Sequence, residues 1–176
     1  CRQLRQEGCR VVILSRQADM PADIAADMAV TCDLMDAGAI ATAGVAIRRA
    51  CPRIDLFISC AGTISPQTVG VLDSERVRRQ VETNLTGVIL LTQEVLPNIA
   101  VGGRILFVNS MAGVFPLAGS AVYTASKFGL RGFARALAQE LRPRGIHVLS
   151  VFPGSVDTSM FRDEMEQGGS LLNFMS

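Results

Sequence analysis

The chain has 176 residues, 49% hydrophobic and 19% charged, with a formal net charge of +1 at pH 7. These values describe an ordinary globular protein with a core of its own and exclude a disordered segment. The basic residues are scattered along the sequence, which excludes the clustered positive footprint of a nucleic-acid binder or of a protein held to an anionic membrane.

Residues 10–15 (RVVILS) form a short β-branched run after Gly8 and predict a strand, as do residues 54–60. Asp73 and Ser74 then offer a helix N-cap. Val77, Val81, Val88, Leu91 and Val95 follow at helical steps until Pro97 and Gly102 stop the pattern. Residues 104–109 predict a third strand. Residues 120–141 predict a long helix with Leu130, Ala134, Leu137 and Leu141 on one stripe, ended by Pro143 and Gly145, and residues 146–152 a last strand. Nearly continuous apolar strands alternating with amphipathic helices predict an α/β fold, a doubly wound parallel sheet with helices on both faces. No repeat, low-complexity tract or linker divides it, so residues 1–176 read as one domain.

The five cysteines (Cys1, Cys9, Cys32, Cys51 and Cys60) are odd in number and lack metal-ligand spacing, which points to a reducing, cytoplasmic address. A single histidine, His147, leaves a histidine metal site or a Ser-His-Asp triad hard to assemble, and His147 itself reads as structural. No signal-peptide pattern opens the sequence. Residues 105–126 carry no charge, but they contain Asn109, Ser110, Gly113, Pro116 and Gly119 and read as strand plus loop, not as a membrane span.

The chemistry concentrates in one place. Tyr123 is the only tyrosine, and Lys127 is the only lysine, the other 16 basic residues being arginine. Four residues is about one helical turn, so both side chains leave the same helix face, the one continued by the Leu130 stripe. A phenol with its ordinary pKa near ~10 must be stabilised as phenolate by roughly 4 kcal/mol to exchange protons near neutrality. A compact ammonium one turn away has the required sign.

Tyr123-Thr-Ala-Ser-Lys127 resembles the Y-x-x-x-K signature of the short-chain dehydrogenase/reductases. Ser110 stands 13 residues before the tyrosine, as that family's serine does, within a segment 108–113 that resembles the family's strand end. The run Pro153-Gly154-Ser155-Val156-Asp157-Thr158 resembles the P-G-x-V-x-T segment beside the nicotinamide. Asn84, in Asn84-Leu85-Thr86-Gly87, matches the family's helix asparagine and interrupts the apolar stripe between Val81 and Val88. The resemblance implies an oxidoreductase that moves a hydride between NADP(H) and a carbonyl or secondary alcohol. Tyr123 would be the general acid/base, Lys127 would lower its pKa and hold ribose hydroxyls, Ser110 would bond the substrate oxygen, and Asn84 would anchor a relay water.

For the cofactor, the resemblance implies that Ser15 stands where an acid would select the 2′-hydroxyl and that Arg16 accommodates a 2′-phosphate, favouring NADP over NAD. Asp33 and Leu34 match the adenine-contacting pair. Ser59, Cys60, Ala61 and Gly62 take the place of the family's N-N-A-G strand end, keeping the small Ala-Gly and losing both asparagines; Pro153, Gly154, Val156 and Thr158 complete the expected contacts.

No G-x-x-x-G-x-G occurs in the chain, and residues 1–8 read as the end of a helix leading into the family's second strand. The first strand and its phosphate-binding turn, and the family's last helix and strand, are expected to be missing, so this stretch alone is expected to bind nucleotide weakly. The apolar mix after Thr158, with Phe115 and Leu117, suggests an apolar ketone or alcohol, and the family implies a homo-oligomeric parent. Rival readings are a catalytically silent binding fragment, the longer epimerase and dehydratase relatives, and an α/β hydrolase, for which the G-x-S-x-G elbow is absent.

Overall fold

A computed structural model describes residues 1–17, 26–154 and 156. Helix α1 (Arg2–Gln6) leads into strand β1 (Val12–Ser15), which pairs in parallel with β2 (Met28–Thr31). Helix α2 (Ala37–Ala50) then crosses to β3 (Ile54–Ser59), and α3 (Ser74–Val81), a π-turn at Glu82–Thr86 and α4 (Gly87–Val95) carry the chain to β4 (Ile99–Val108). Helix α5 (Ala121–Leu141) returns it to β5 (His147–Val151). Every strand pairing among the described residues is parallel, as the apolar runs predict.

The caps follow local chemistry. Asp73 accepts a hydrogen bond from Arg76 N and opens α3, as its place before the apolar steps predicts. Asp36 opens α2 by accepting from the backbone N–H groups of Gly38 and Ala39. Asp36→Ala removes the Oδ1 that accepts both bonds and is expected to lower stability by about 1 kcal/mol, read as a shift in the urea midpoint at unchanged slope. Gly145 ends the turn after α5 at φ +65°, a left-handed conformation that suits glycine, and directs the chain into β5.

The sheet is in two pieces among the described residues, β1-β2 and β3-β4-β5, with no strand between β1 and β3. In the larger piece the order advances in one direction, so right-handed crossovers put the intervening helices on a single face. That face carries Phe57, Ile105, Phe107 and Val148, packed against α4 and α5, with Phe107 edge to face on Phe133 at 5.7 Å. The opposite face carries Leu56, Ile58, Leu149 and Val151, which are exposed by 37–50%.

Ile40, Ala43 and Ile47 of α2 join Val88, Leu91 and Val95 of α4 and the Leu130, Ala134, Leu137, Leu141 stripe of α5 in one core. Gly87 lets α4 approach the loop after β2. A Cβ there would lie 2.2 Å from the Leu34 carbonyl oxygen, closer than any side chain can sit. No helix among the described residues is long and apolar enough to cross a membrane.

Candidate active site

Tyr123 and Lys127 lie one turn apart on the buried face of α5, exposed by 7% and 3%. The Lys127 Nζ sits 5.6 Å from the Tyr123 ring centroid, so the expected pairing is present in space. No carboxylate faces the ammonium and no hydrogen-bond acceptor for it is found among the described residues. Burial holds Lys127 well below its ordinary 10.5, at about 8, and the nearby Cys60, when ionised, acts in the opposite direction. The Cys60 thiol is raised by partial desolvation and opposed by the Lys127 charge.

Ser110 ends β4. Its Oγ accepts from Ala112 N at 3.1 Å and caps a short 3-10 turn at Met111–Gly113, which leaves the hydroxyl hydrogen to donate. Asn109 ties this strand end to the helix: its Nδ2 donates to the Lys127 carbonyl at 3.2 Å and its Oδ1 accepts from Ser110 N at 3.0 Å. The segment after β5 joins the same loop, because Met111 N donates to the Pro153 carbonyl at 2.9 Å. Pro153 and Gly154 therefore lie beside Ser110, and Val156 is 53% exposed.

Asn84 is wholly buried in the π-turn, where Gly87 N bonds to Glu82 O. Such a turn inserts one residue into the helical ladder and recurs at functional positions. That insertion is how a polar residue interrupts the apolar stripe without breaking the helix. The Asn84 amide bonds both ways to Thr63, accepting from its N at 2.7 Å and donating to its carbonyl at 2.8 Å, and donates its other hydrogen to Ser126 Oγ at 3.1 Å. What it can offer a water is thus limited to acceptor oxygens. A Cβ on Gly62 would lie 3.4 Å from Lys127 Nζ and 3.7 Å from Asn84 Oδ1, so the absence of a side chain at Gly62 keeps these groups uncovered.

The carboxyl ends of β1, β2 and β3 converge on a cleft of about 230 Å³. Ligands in open α/β sheets bind at this end of the strands. Of the expected cofactor contacts, Ser15, Arg16, Leu34, Cys60, Ala61 and Gly62 line it, together with Leu14, Cys32 and Thr83, which sequence reasoning missed. Asp33 does not line it; its carboxylate accepts from Met35 N at 2.9 Å and shapes the turn into α2. Pro153, Gly154 and Val156 lie outside this cleft, and Thr158 and the segment expected to form a substrate lid fall outside the described residues.

An α/β frame with a buried tyrosine and lysine at the carboxyl ends of parallel strands defines a class that comparison with known proteins makes definite. The family model described as short chain dehydrogenase matches residues 1–168, and the chain belongs to that family of oxidoreductases. Carbonyl reductase family member 4 of Danio rerio is 32% identical over 164 residues, 89% of this chain and 69% of that protein. The 3-oxoacyl-[acyl-carrier-protein] reductase MabA of Mycobacterium tuberculosis is 29% identical over 173 residues, 96% of this chain and 69% of its own length. Among solved structures, an F189W actinorhodin polyketide ketoreductase with NADPH superposes with a TM-score of 0.84 at 31% identity, covering 97% of this chain and 70% of that one.

Proposed function

We propose that this chain carries the acid–base and much of the nucleotide-binding part of an NADP-dependent reductase of ketones or oxidase of secondary alcohols. The observation that carries the reading is the Lys127 ammonium, 3% exposed and without a carboxylate partner among the described residues, beside Tyr123 on one helix face. A buried charge faced by no opposite charge is costly and is retained where a site needs it. The residues present fit a nicotinamide nucleotide. Gly62 leaves an open wall next to Nζ, the small Ala61 continues it, and Arg16 stands at the mouth of the cleft. When bound, the nicotinamide supplies or takes the hydride.

The protein's part is the proton and the geometry. Tyr123 gives its phenolic proton to the carbonyl oxygen in reduction and takes it back in oxidation, and the ammonium of Lys127 stabilises the phenolate left behind. The hydroxyl of Ser110 donates to the same oxygen and holds the carbonyl in place. Asn84 fixes the loop of Gly62 and Thr63 against α5 through its bonds to Thr63 and Ser126. Met111 and Phe115, exposed just after Ser110, give the substrate side an apolar rim that suits a ketone on an aliphatic or acyl chain. The names of the compared carbonyl reductase, 3-oxoacyl reductase and polyketide ketoreductase are consistent with that substrate class.

The test is oxidation of NADPH, followed at 340 nm, by the product of the gene that carries this chain against a panel of apolar ketones and 3-oxoacyl thioesters. No turnover with any of them sinks the reading. Cofactor choice is tested separately: Ser15→Asp supplies the acid that selects a free 2′-hydroxyl and repels a 2′-phosphate. It is expected to move the kcat/KM ratio toward NADH by about tenfold or more, roughly 1.4 kcal/mol.

A second reading concerns the 176 residues by themselves. The division of the sheet between β1 and β3, with no glycine-rich turn at the cleft, supports weak nucleotide binding by this stretch. Micromolar affinity for NADPH in a titration of the 176-residue chain overturns it.

A further inference from the structure

Two polar side chains outside the proposed reacting set are buried at the Tyr123–Lys127 turn: Asn109 is 5% exposed and Ser126 is 2% exposed. Each makes two bonds, and each pair of bonds joins a different element to α5. Asn109 links the Ser110 amide to the Lys127 carbonyl, so it spans from the end of β4 to the helix. Ser126 Oγ accepts from Asn84 Nδ2 at 3.1 Å and donates to the Tyr123 carbonyl at 2.7 Å, so it spans from the π-turn to the helix. Gly113 makes the first span possible, because a Cβ there would lie 2.7 Å from Asn109 Oδ1 and 3.0 Å from the Lys127 carbonyl oxygen.

We propose that Asn109 and Ser126 are positioning residues, a two-point clamp that fixes the Tyr123 and Lys127 side chains in register with Ser110 and Asn84. The inference rests on the reductase reading above. The physical case is geometric. Ser110 comes from a strand, Asn84 from a π-turn and Tyr123 with Lys127 from a helix, so their mutual distances depend on how three elements dock. Apolar packing between such elements is tolerant of small slides, whereas hydrogen bonds are short and directional. The two clamps meet α5 at consecutive residues, within the turn that carries the chemistry, and this restrains the turn against both translation and rotation. A displacement of 1 Å in such a site costs roughly 10²-fold in rate.

Neither residue touches the reacting atoms in this scheme, so their variants separate positioning from binding. Ser126→Ala removes one oxygen and adds no volume. Asn109→Asp keeps the acceptor for Ser110 N and loses the donor to Lys127 O. In the active gene product each is expected to lower kcat about 10- to 100-fold while KM for ketone and for NADPH changes less than about threefold, and to shift the alkaline limb of the kcat–pH profile. Ser126→Thr, which retains the hydroxyl, is expected to recover most of the loss.

Melting curves accompany each variant. Should an Asn109 variant fail to fold, Ser126→Ala and its threonine counterpart decide the matter. Variants that lose stability but keep the kcat and pH profile of the wild type overturn the clamp and leave the reductase reading intact. A wild-type protein without turnover overturns both.

Discussion

Tyr123→Phe is expected to lower kcat/KM for ketone reduction by about 10³-fold, within the 10²- to 10⁴-fold range of general acid–base catalysis. The substitution removes a single oxygen from a side chain that is 7% exposed and keeps the ring 5.6 Å from the Lys127 charge. Packing in α5 is therefore conserved, and the change in stability should stay near 1 kcal/mol. Because the proton moves only as the carbonyl is reduced, the loss belongs in kcat, with NADPH affinity nearly unchanged. A phenylalanine variant that retains a tenth of the wild-type turnover eliminates Tyr123 as the acid.

Lys127 gives the second large effect, and its sign is opposite to that of a stabilising ion pair. Burial depresses its folded value to about 8 from 10.5. Below pH 8 the ammonium is charged in both states and the folded chain bears the full desolvation cost. Between about pH 8 and pH 10.5 the unfolded chain holds more protons than the folded one. This group's contribution to stability therefore rises with pH across that window, by about 3 kcal/mol in total. Lys127→Met lacks the titration. Its stability advantage over the wild type should be greatest at pH 7.5 and should shrink as pH approaches 10.5.

The raised Cys60 thiol titrates with the opposite sign, so the comparison is best made by urea unfolding in a Cys60→Ala background. A constant difference between the lysine and methionine chains across the range would show that the ammonium is not desolvated. The same deprotonation removes the charge that stabilises the phenolate, so reductase activity should decline through an alkaline limb near pH 8. Lys127→Met should abolish that limb together with most of the rate.

Much of the fold was legible because its signals are local. The cap at Asp73, the Val77 to Val95 steps and the Leu130 to Leu141 stripe predict helices that the structure contains, and the apolar runs predict parallel strands. Three features were not marked. Strand β2 is only four residues long, and α2 is an alanine- and glycine-rich segment with a sparse apolar face, although Asp36 was a usable N-cap signal. Strand β4 begins at Ile99, five residues before the apolar run that suggested it. Its pairing with Ile54 carries the strand across Gly102 and Gly103, which on local grounds read as a break.

At the candidate site, the Tyr123–Lys127 pairing on one helix face was legible from spacing, and Asn84 entered only through the family resemblance. Ser126 and Asn109 were not legible, because their partners lie 42 and 18 residues away in the chain and only tertiary docking reveals the bonds. The turn bond of Asp33 was not marked for a related reason. A short carboxylate after a strand serves a turn as readily as a ligand, and here its bond to Met35 N is the turn.

The division of the sheet has a practical consequence. Strands β1 and β3 each have one side without a ladder partner among the described residues, and the Leu56, Ile58, Leu149 and Val151 surface beside β3 and β5 is apolar. Open ladders next to greasy surface are templates for self-association. The isolated polypeptide should therefore precipitate or form oligomers as its concentration rises, and a charge such as Ile58→Lys should improve its yield as a monomer.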